Sequence, residues 1–212
     1  MYFVGNRDSA TLIRSSAQQT GFIAIEFRPH GAFQIFGVPM SETSNQLWET
    51  DCVFGRWSRN VEETLNNLGR VDQKVAFIQD QLTLLLRRNR RDDRVVEYCV
   101  KALRSADGRM SIRELAQRTG YSRRYVDRLF QQHVGLSPKV LAEIFRFQRF
   151  YRKWAAGMSF DLLKADLYDH YYDQSHFTKE FRRMTGHPPQ TFMREVSNEF
   201  GRRLLIREAS ST

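Results

Sequence analysis

Arg123, Arg124, Asp127 and Arg128 stand within six residues of one another. Their types suit hydrogen bonding to nucleic-acid bases better than the making or breaking of bonds. A guanidinium presents two N–H donors that match O6 and N7 of guanine, and a carboxylate accepts from the amine of cytosine. On a helix that begins after Ser122, Arg124, Asp127 and Arg128 project from the outer face near its N-terminal half. Arg123 is better placed for a phosphate. Asp127 has a second use, as an acceptor that orients a neighbouring arginine. A solvent face with spare charges would carry the same residue types, so the elements that position the four residues must decide. Catalysis has no comparable support, because the chain shows no nucleophile motif, phosphate-binding glycine loop or paired-carboxylate site. No enzymatic activity and no cofactor are expected.

The positioning elements run from Ser111 to Gly135, SIRELAQRTGYSRRYVDRLFQQHVG. Ser111 followed by Glu114 is a capping box that starts a helix. Ile112, Leu115 and Ala116 share one face of it. Gly120 follows, where a residue with φ > 0 costs least. Ser122 caps a second helix with Tyr125, Val126, Leu129 and Phe130 inside and Arg123, Arg124, Asp127, Arg128 and Gln131 outside. Small Ala116 permits a close crossing, and Gly120 makes the corner. This is the spacing of a helix-turn-helix, whose second helix enters the DNA major groove. An ordinary helical hairpin with a charged face would share it.

The pattern recurs. Tyr125-Val126, Arg128, Phe130, Gly135 and Pro138 have counterparts in His176-Phe177, Lys179, Phe181, Gly186 and Pro189, each 51 residues on. Such a repeat marks a duplicated module. In the second copy Asp173 is the cap, and Gln174, Ser175, Thr178 and Lys179 face outward. Gln174 suits adenine, Thr178 a thymine methyl or a phosphate, and Lys179 guanine or phosphate. Between the copies a helix is expected over Pro138 to Ala156, capped by Ser137 and stopped by Gly157. At 1.5 Å per residue it spans about 27 Å, compatible with docking in grooves that recur about every 34 Å.

LSPKVLAEIFRFQRF followed by YYDQSHFTKEFRRMTGHPPQTF resembles the AraC/XylS family of bacterial transcription regulators, over roughly residues 92 to 194. The resemblance implies two helix-turn-helix subdomains joined by a linker helix that read successive major grooves. Arg124, Asp127 and Arg128 match positions the family uses for DNA contact. Double-stranded DNA is then the partner, with RNA polymerase and a second copy of the chain as further candidates, in the bacterial cytoplasm and at the nucleoid when bound. The second unit departs from the family at Asp166, where a small residue is usual, and at His170, where a glycine is usual. An unpaired aspartate buried at a helix crossing would cost several kcal/mol; pairing with Lys164 or Lys179, or an outward tilt of that helix, would relieve it. The competing reading is a protein–protein interaction or oligomerisation factor that keeps the fold but binds DNA only nonspecifically.

Charge agrees with a polyanionic partner. The formal net charge is +9, and residues 92 to 212 hold 22 basic and 15 acidic side chains against 11 and 9 in residues 1 to 91. Binding such a partner gains from counterion release, though charge alone would fit RNA or a membrane surface equally well. Cys52 and Cys99 give no disulfide framework, and Cys99 sits among apolar residues as a buried side chain would. No apolar run approaches the ~20 residues of a membrane span. No basic region followed by an apolar core opens the chain, so no signal peptide is expected. His170, His176 and His187 with Asp169 and Asp173 match no ligand spacing, so no metal is expected.

The fold expected is mainly α: the pair of helix-turn-helix subdomains and their linker helix over 92–196, preceded by a small, incomplete β region over 1–58 and two helices over 59–91, and followed by a basic tail over 197–212. Four short strands are expected, at Tyr2–Val4, Ala10–Arg14, Phe22–Phe27 and Ala32–Phe36. GFIAIEFRPHGAFQIFGVP resembles the later part of a sensor-like domain found in one branch of the same regulators, without its earlier part. A start downstream of the usual one, a shortened chain, or a sheet completed by dimerisation would each account for that. A small-molecule effector stays open, and Arg28 and His30 read as a solvated loop. In 59–91, Asn60 with Glu63 caps the first helix. The second, about Val71 to Arg88, carries an apolar seam of Val71, Val75, Ile78, Leu82 and Leu85, widened by Phe77, Leu84 and Leu86. Packing within the chain is the simpler use of the seam and a dimer contact the sharper one. Arg87 to Arg91 reads as a solvated basic linker. Asp92 and Asp93 then open a helix with Val95, Val96, Cys99, Val100 and Leu103 inside.

Overall fold

The computed structural model describes residues 1–10, 22–89, 91, 94–158 and 174–192. It divides into two compact units, one from Met1–Arg7, Ile13–Val100 and Ala116–Ser137, the other from Asp8–Leu12, Lys101–Leu115 and Pro138–Thr212. Most of what is described is helix.

In the first unit, β1 (Tyr2–Val4) pairs antiparallel with β2 (Leu47–Glu49), with Phe3 opposite Trp48. The strand alternates as its period of two requires: Phe3 is buried, and Tyr2 and Val4 are exposed. Phe3, Ala32, Phe33 and Met40 form a core with Phe27, Phe36, Val38, Val53 and Phe54 around it. Phe36 stacks on Phe54 at 3.8 Å between centroids, and Phe3 meets the same ring edge-on at 5.0 Å.

Two of the expected strands are corrected here. Ala32–Phe36 belongs to a helix, α1 (Gly31–Phe36), and Phe22–Phe27 has no regular structure. Most of 10–14 lies outside the described residues. A short apolar run does not by itself distinguish strand from helix, and tertiary contacts decide here. Gly37 ends α1 at φ 73° with its N–H donating to the Phe33 carbonyl. The carbonyls of Ile35 and Gln34 accept from Asn89 Nδ2 at 2.8 Å and Arg91 Nη1 at 3.4 Å, and the Arg91 guanidinium lies over the Phe33 ring. The basic stretch is therefore tied down at Asn89 and Arg91, not merely solvated. His30, read as part of a solvated loop, is buried beneath the start of α1; Arg28 is exposed.

A short α2 (Thr50–Phe54) and α3 (Arg56–Asn67) are separated by Gly55. Asn60 does not cap α3. It lies inside the helix, where its carbonyl accepts from the Thr64 hydroxyl. The next helix, α4 (Val71–Arg88), is where the seam predicts it, yet the described residues cover only one flank. Ile78 is buried and Leu82 and Leu85 are half-buried, while Val71 (66% exposed), Val75, Leu84 and Leu86 face outward. In α5 (Arg94–Ser105), Val96, Cys99, Val100 and Leu103 are buried. Burial pushes the Cys99 thiol up to about 11, as expected of an apolar site. Asp92 and Asp93 lie outside the described residues.

The second unit is built on α8 (Pro138–Ala155); α6 and α7, which precede it in the chain, belong to the site below. Here α8 packs with a later helix, α9 (Gln174–Thr185), and a short turn, α10 (Pro189–Thr191). Phe150, Phe177 and Phe181 are the buried centre, with Phe147, Trp154 and Phe192 around them. The polar side of α8 is equally committed. Arg146 donates to the Gly108 carbonyl at 2.7 Å and to Glu180 at 3.3 Å. Arg149 pairs with Asp107, and Glu143, itself buried, accepts from Arg183. Gly108 is required on two counts: its φ is 70°, and a Cβ there would lie 2.0 Å from the Ala142 carbonyl oxygen. Among the described residues no helix is long and apolar enough to cross a membrane.

Phe181 is fully buried amid five aromatic side chains. Phe181→Ala therefore lowers unfolding free energy by about 3–5 kcal/mol in a denaturant titration. A loss below about 1 kcal/mol would contradict the packing described.

Candidate nucleic-acid interface

The first candidate reader follows from local hydrogen bonding. Ser111 Oγ accepts from the Glu114 N–H at 3.1 Å and starts α6 (Ile112–Thr119). The Thr119 hydroxyl returns to the Ala116 carbonyl, and Gly120 turns the chain at φ 70°. Nothing lies within 4 Å of a Cβ built on Gly120, so its backbone conformation, not space, calls for glycine. Ser122, extended at φ −66° and ψ 150°, then accepts from the Tyr125 N–H at 3.2 Å and starts α7 (Arg123–His133).

Burial sorts the faces of α7 as the spacing predicts. Val126 and Phe130 are buried, Tyr125 and Leu129 half-buried, and Arg123, Arg124, Asp127 and Arg128 all exposed. No ion pair joins Asp127 to these arginines among the described residues, so its carboxylate and Arg123 and Arg124 stay available. Arg128 differs, because its guanidinium lies 5.2 Å from the centroid of the Tyr125 ring.

The far end of α7 is held by residues that no local pattern indicates. Gly135 closes the helix at φ 79°, donating to the Phe130 carbonyl. The next carbonyls need partners from elsewhere. Asn6 Nδ2 donates to Val134 at 2.8 Å and to Pro29 at 3.0 Å; Ser44 Oγ donates to Gly135 at 2.6 Å. Buried His133 lies against Phe33 with ring centroids 4.0 Å apart. These partners come from about 90 to 130 residues away in the chain, beyond the reach of periodicity or capping rules.

In the second candidate reader, α9 begins at Gln174, with Ser175 and Lys179 exposed and Thr178 half-buried. Phe177 and Phe181 are buried, as Val126 and Phe130 are in α7. Where α7 has Leu129, α9 has Glu180, buried and paired with Arg146. Asp166, His170 and Asp173 lie outside the described residues, and so does the fit of the two departures in this unit. Of groups with metal-ligand chemistry, Glu49, Asp51 and Cys52 come together among the described residues, all on the exposed surface.

The residue order helix, glycine turn, capped helix with a basic outer face defines a helix-turn-helix protein. The family whose model is described as a helix-turn-helix domain matches residues 115–195. That segment is an AraC-type helix-turn-helix domain, the DNA-binding domain of a transcription regulator. No curated protein and no solved structure matches the chain.

The Ser122 cap has a measurable consequence. Ser122→Ala removes the acceptor for the Tyr125 N–H and lowers stability by about 1 kcal/mol, whereas Ser122→Asn largely retains it. Equal stability of the alanine variant and wild type in thermal or denaturant unfolding would contradict the capping role.

Proposed function

We propose that the protein is a sequence-specific regulator that reads double-stranded DNA in the major groove, mainly through Arg124, Asp127 and Arg128, with Arg123 on a phosphate. The observation that carries this reading is the outer face of α7: four charged side chains, all exposed, on a helix capped at Ser122 and buried on its opposite side. A helix presented this way inserts its N-terminal half toward base edges. The second reader is α9, with Gln174, Ser175, Thr178 and Lys179. Exposed Ser175 and Lys179 and half-buried Thr178 fit a supporting role in which phosphate contact outweighs base contact.

A second copy of the chain is the partner that fits α4. Its apolar seam keeps a four-three rhythm, and Val71, Val75 and Leu86 remain exposed along it. The chain itself covers Ile78, so the exposed strip of Val71, Val75 and Leu86 is the part that a second copy can cover. RNA polymerase is a further partner of a regulator of this kind.

Competition binding with duplexes drawn from a random library tests the reading. Arg124→Ala relaxes preference at one base position, worth about 1–3 kcal/mol of discrimination. Arg123→Ala instead weakens binding to every duplex and reduces the slope of log K against log salt by about 1. Preference unchanged in the Arg124 variant would reject base reading there. For α4, Val75→Glu shifts sedimentation from dimer to monomer; a wild-type protein that is monomeric throughout the micromolar range would reject the pairing.

A further inference from the structure

We propose that Tyr125 is a specificity-determining positioning residue, whose ring, backed by Tyr121, holds the Arg128 guanidinium in the orientation from which it reads a base. This rests on the reading of α7 as a base-contacting helix and extends it to residues that touch no base.

Tyr121, Tyr125 and Arg128 follow one another at spacings of four and three, along one side of the helix start. Tyr121 sits in a fixed turn. Its N–H faces the Thr119 hydroxyl at 3.5 Å, Gly120 before it has φ 70°, and Ser122 after it is the cap. The Tyr121 and Tyr125 rings are stacked, with centroids 4.7 Å apart and planes inclined at 28°. Arg128 Cζ lies over the Tyr125 ring at 5.2 Å. Tyr121 keeps 44% of its surface exposed, so its ring contributes more to this surface stack than to the core.

The electron-rich face of an aromatic ring attracts a guanidinium and fixes its plane. A free arginine surrenders several rotatable bonds when it docks on a base. One already held over a ring surrenders fewer, and is less able to swing toward a base of different geometry. Arg124 has no aromatic ring over it among the described residues. The two arginines then differ in tolerance: the base position read by Arg128 is the stricter, that read by Arg124 the looser. The duplicated module repeats the chemistry in its sequence. Tyr172, His176 and Lys179 stand 51 residues after Tyr121, Tyr125 and Arg128, again two aromatic rings followed by a cation.

The test uses the full chain and the duplex selected by the wild-type protein, with all four base pairs placed in turn at each position. Arg128→Ala first locates the position that Arg128 reads, by loss of preference there. Tyr125→Leu is expected to lower discrimination at that same position by about two- to five-fold, with other positions and the salt slope unchanged. Tyr125→Phe keeps the ring and restores the preference. Tyr121→Ala, at an exposed ring, gives a smaller loss at the same position, and decides the matter if Tyr125→Leu does not fold. If Arg128→Ala flattens a position and the tyrosine variants leave it intact, or weaken all duplexes equally, the positioning role is overturned and base reading stands. If Arg128→Ala leaves every preference intact, base reading by Arg128 fails and the inference with it.

Discussion

The carbonyls that follow α7 constrain the first unit more than any other groups. Val134 and Gly135 are buried, so their oxygens must find donors within the protein. Asn6 and Ser44 supply them. A Cβ on Gly135 would fall 2.1 Å from Ser44 Oγ and 2.5 Å from the Met40 carbonyl oxygen, so the approach exists only because position 135 is glycine. Once the segment around Met40 is seated there, Phe33 falls against His133. Asn89 and Arg91 then close the end of α1. The mount of α7 is thus assembled from four separated stretches of chain, and the face that carries Arg123, Arg124, Asp127 and Arg128 is left exposed.

The second unit meets the same requirement with charge. Glu143 and Glu180 are buried carboxylates, each paired with an arginine. Such pairs add little net stability when both charges must leave water. Removing one partner costs far more, because the other is left buried and alone. They therefore fix geometry more than they stabilise. Arg146 binds both the Gly108 carbonyl and Glu180, so the position of α9 along α8 is coupled to the 107–108 turn. In α7 the position corresponding to Glu180 is Leu129, which needs no such partner. The duplicated module keeps its apolar anchors and varies what surrounds them.

What was legible in the sequence is what local chemistry fixes. The caps at Ser111 and Ser122, the positive φ at Gly120, the bounds of α4 and the faces of α7 follow from residues within a few positions of one another. The 51-residue repeat added the anchors of α9. Phe22–Phe27 and Ala32–Phe36 differ from the expected strands because an apolar run carries no local sign of whether a strand partner exists; the last carbonyls of α1 find their donors more than fifty positions away. Burial of His30 was missed for the same reason. The stack of Tyr121, Tyr125 and Arg128 follows in principle from its spacing, but Tyr125 also falls on the inner face of α7, which hides its second contact.

The central claim is that α7 reads bases, and selection of wild-type binding sites from a random duplex library, followed by footprinting at two salt concentrations, tests it most directly. The account predicts an enriched sequence whose strongest positions lie in one major groove, with protection that persists at the higher salt. Protection extending over the next groove would add α9 as a base reader. Absence of enrichment, with binding that disappears as salt rises, would contradict the account and leave only attraction between a basic surface and DNA.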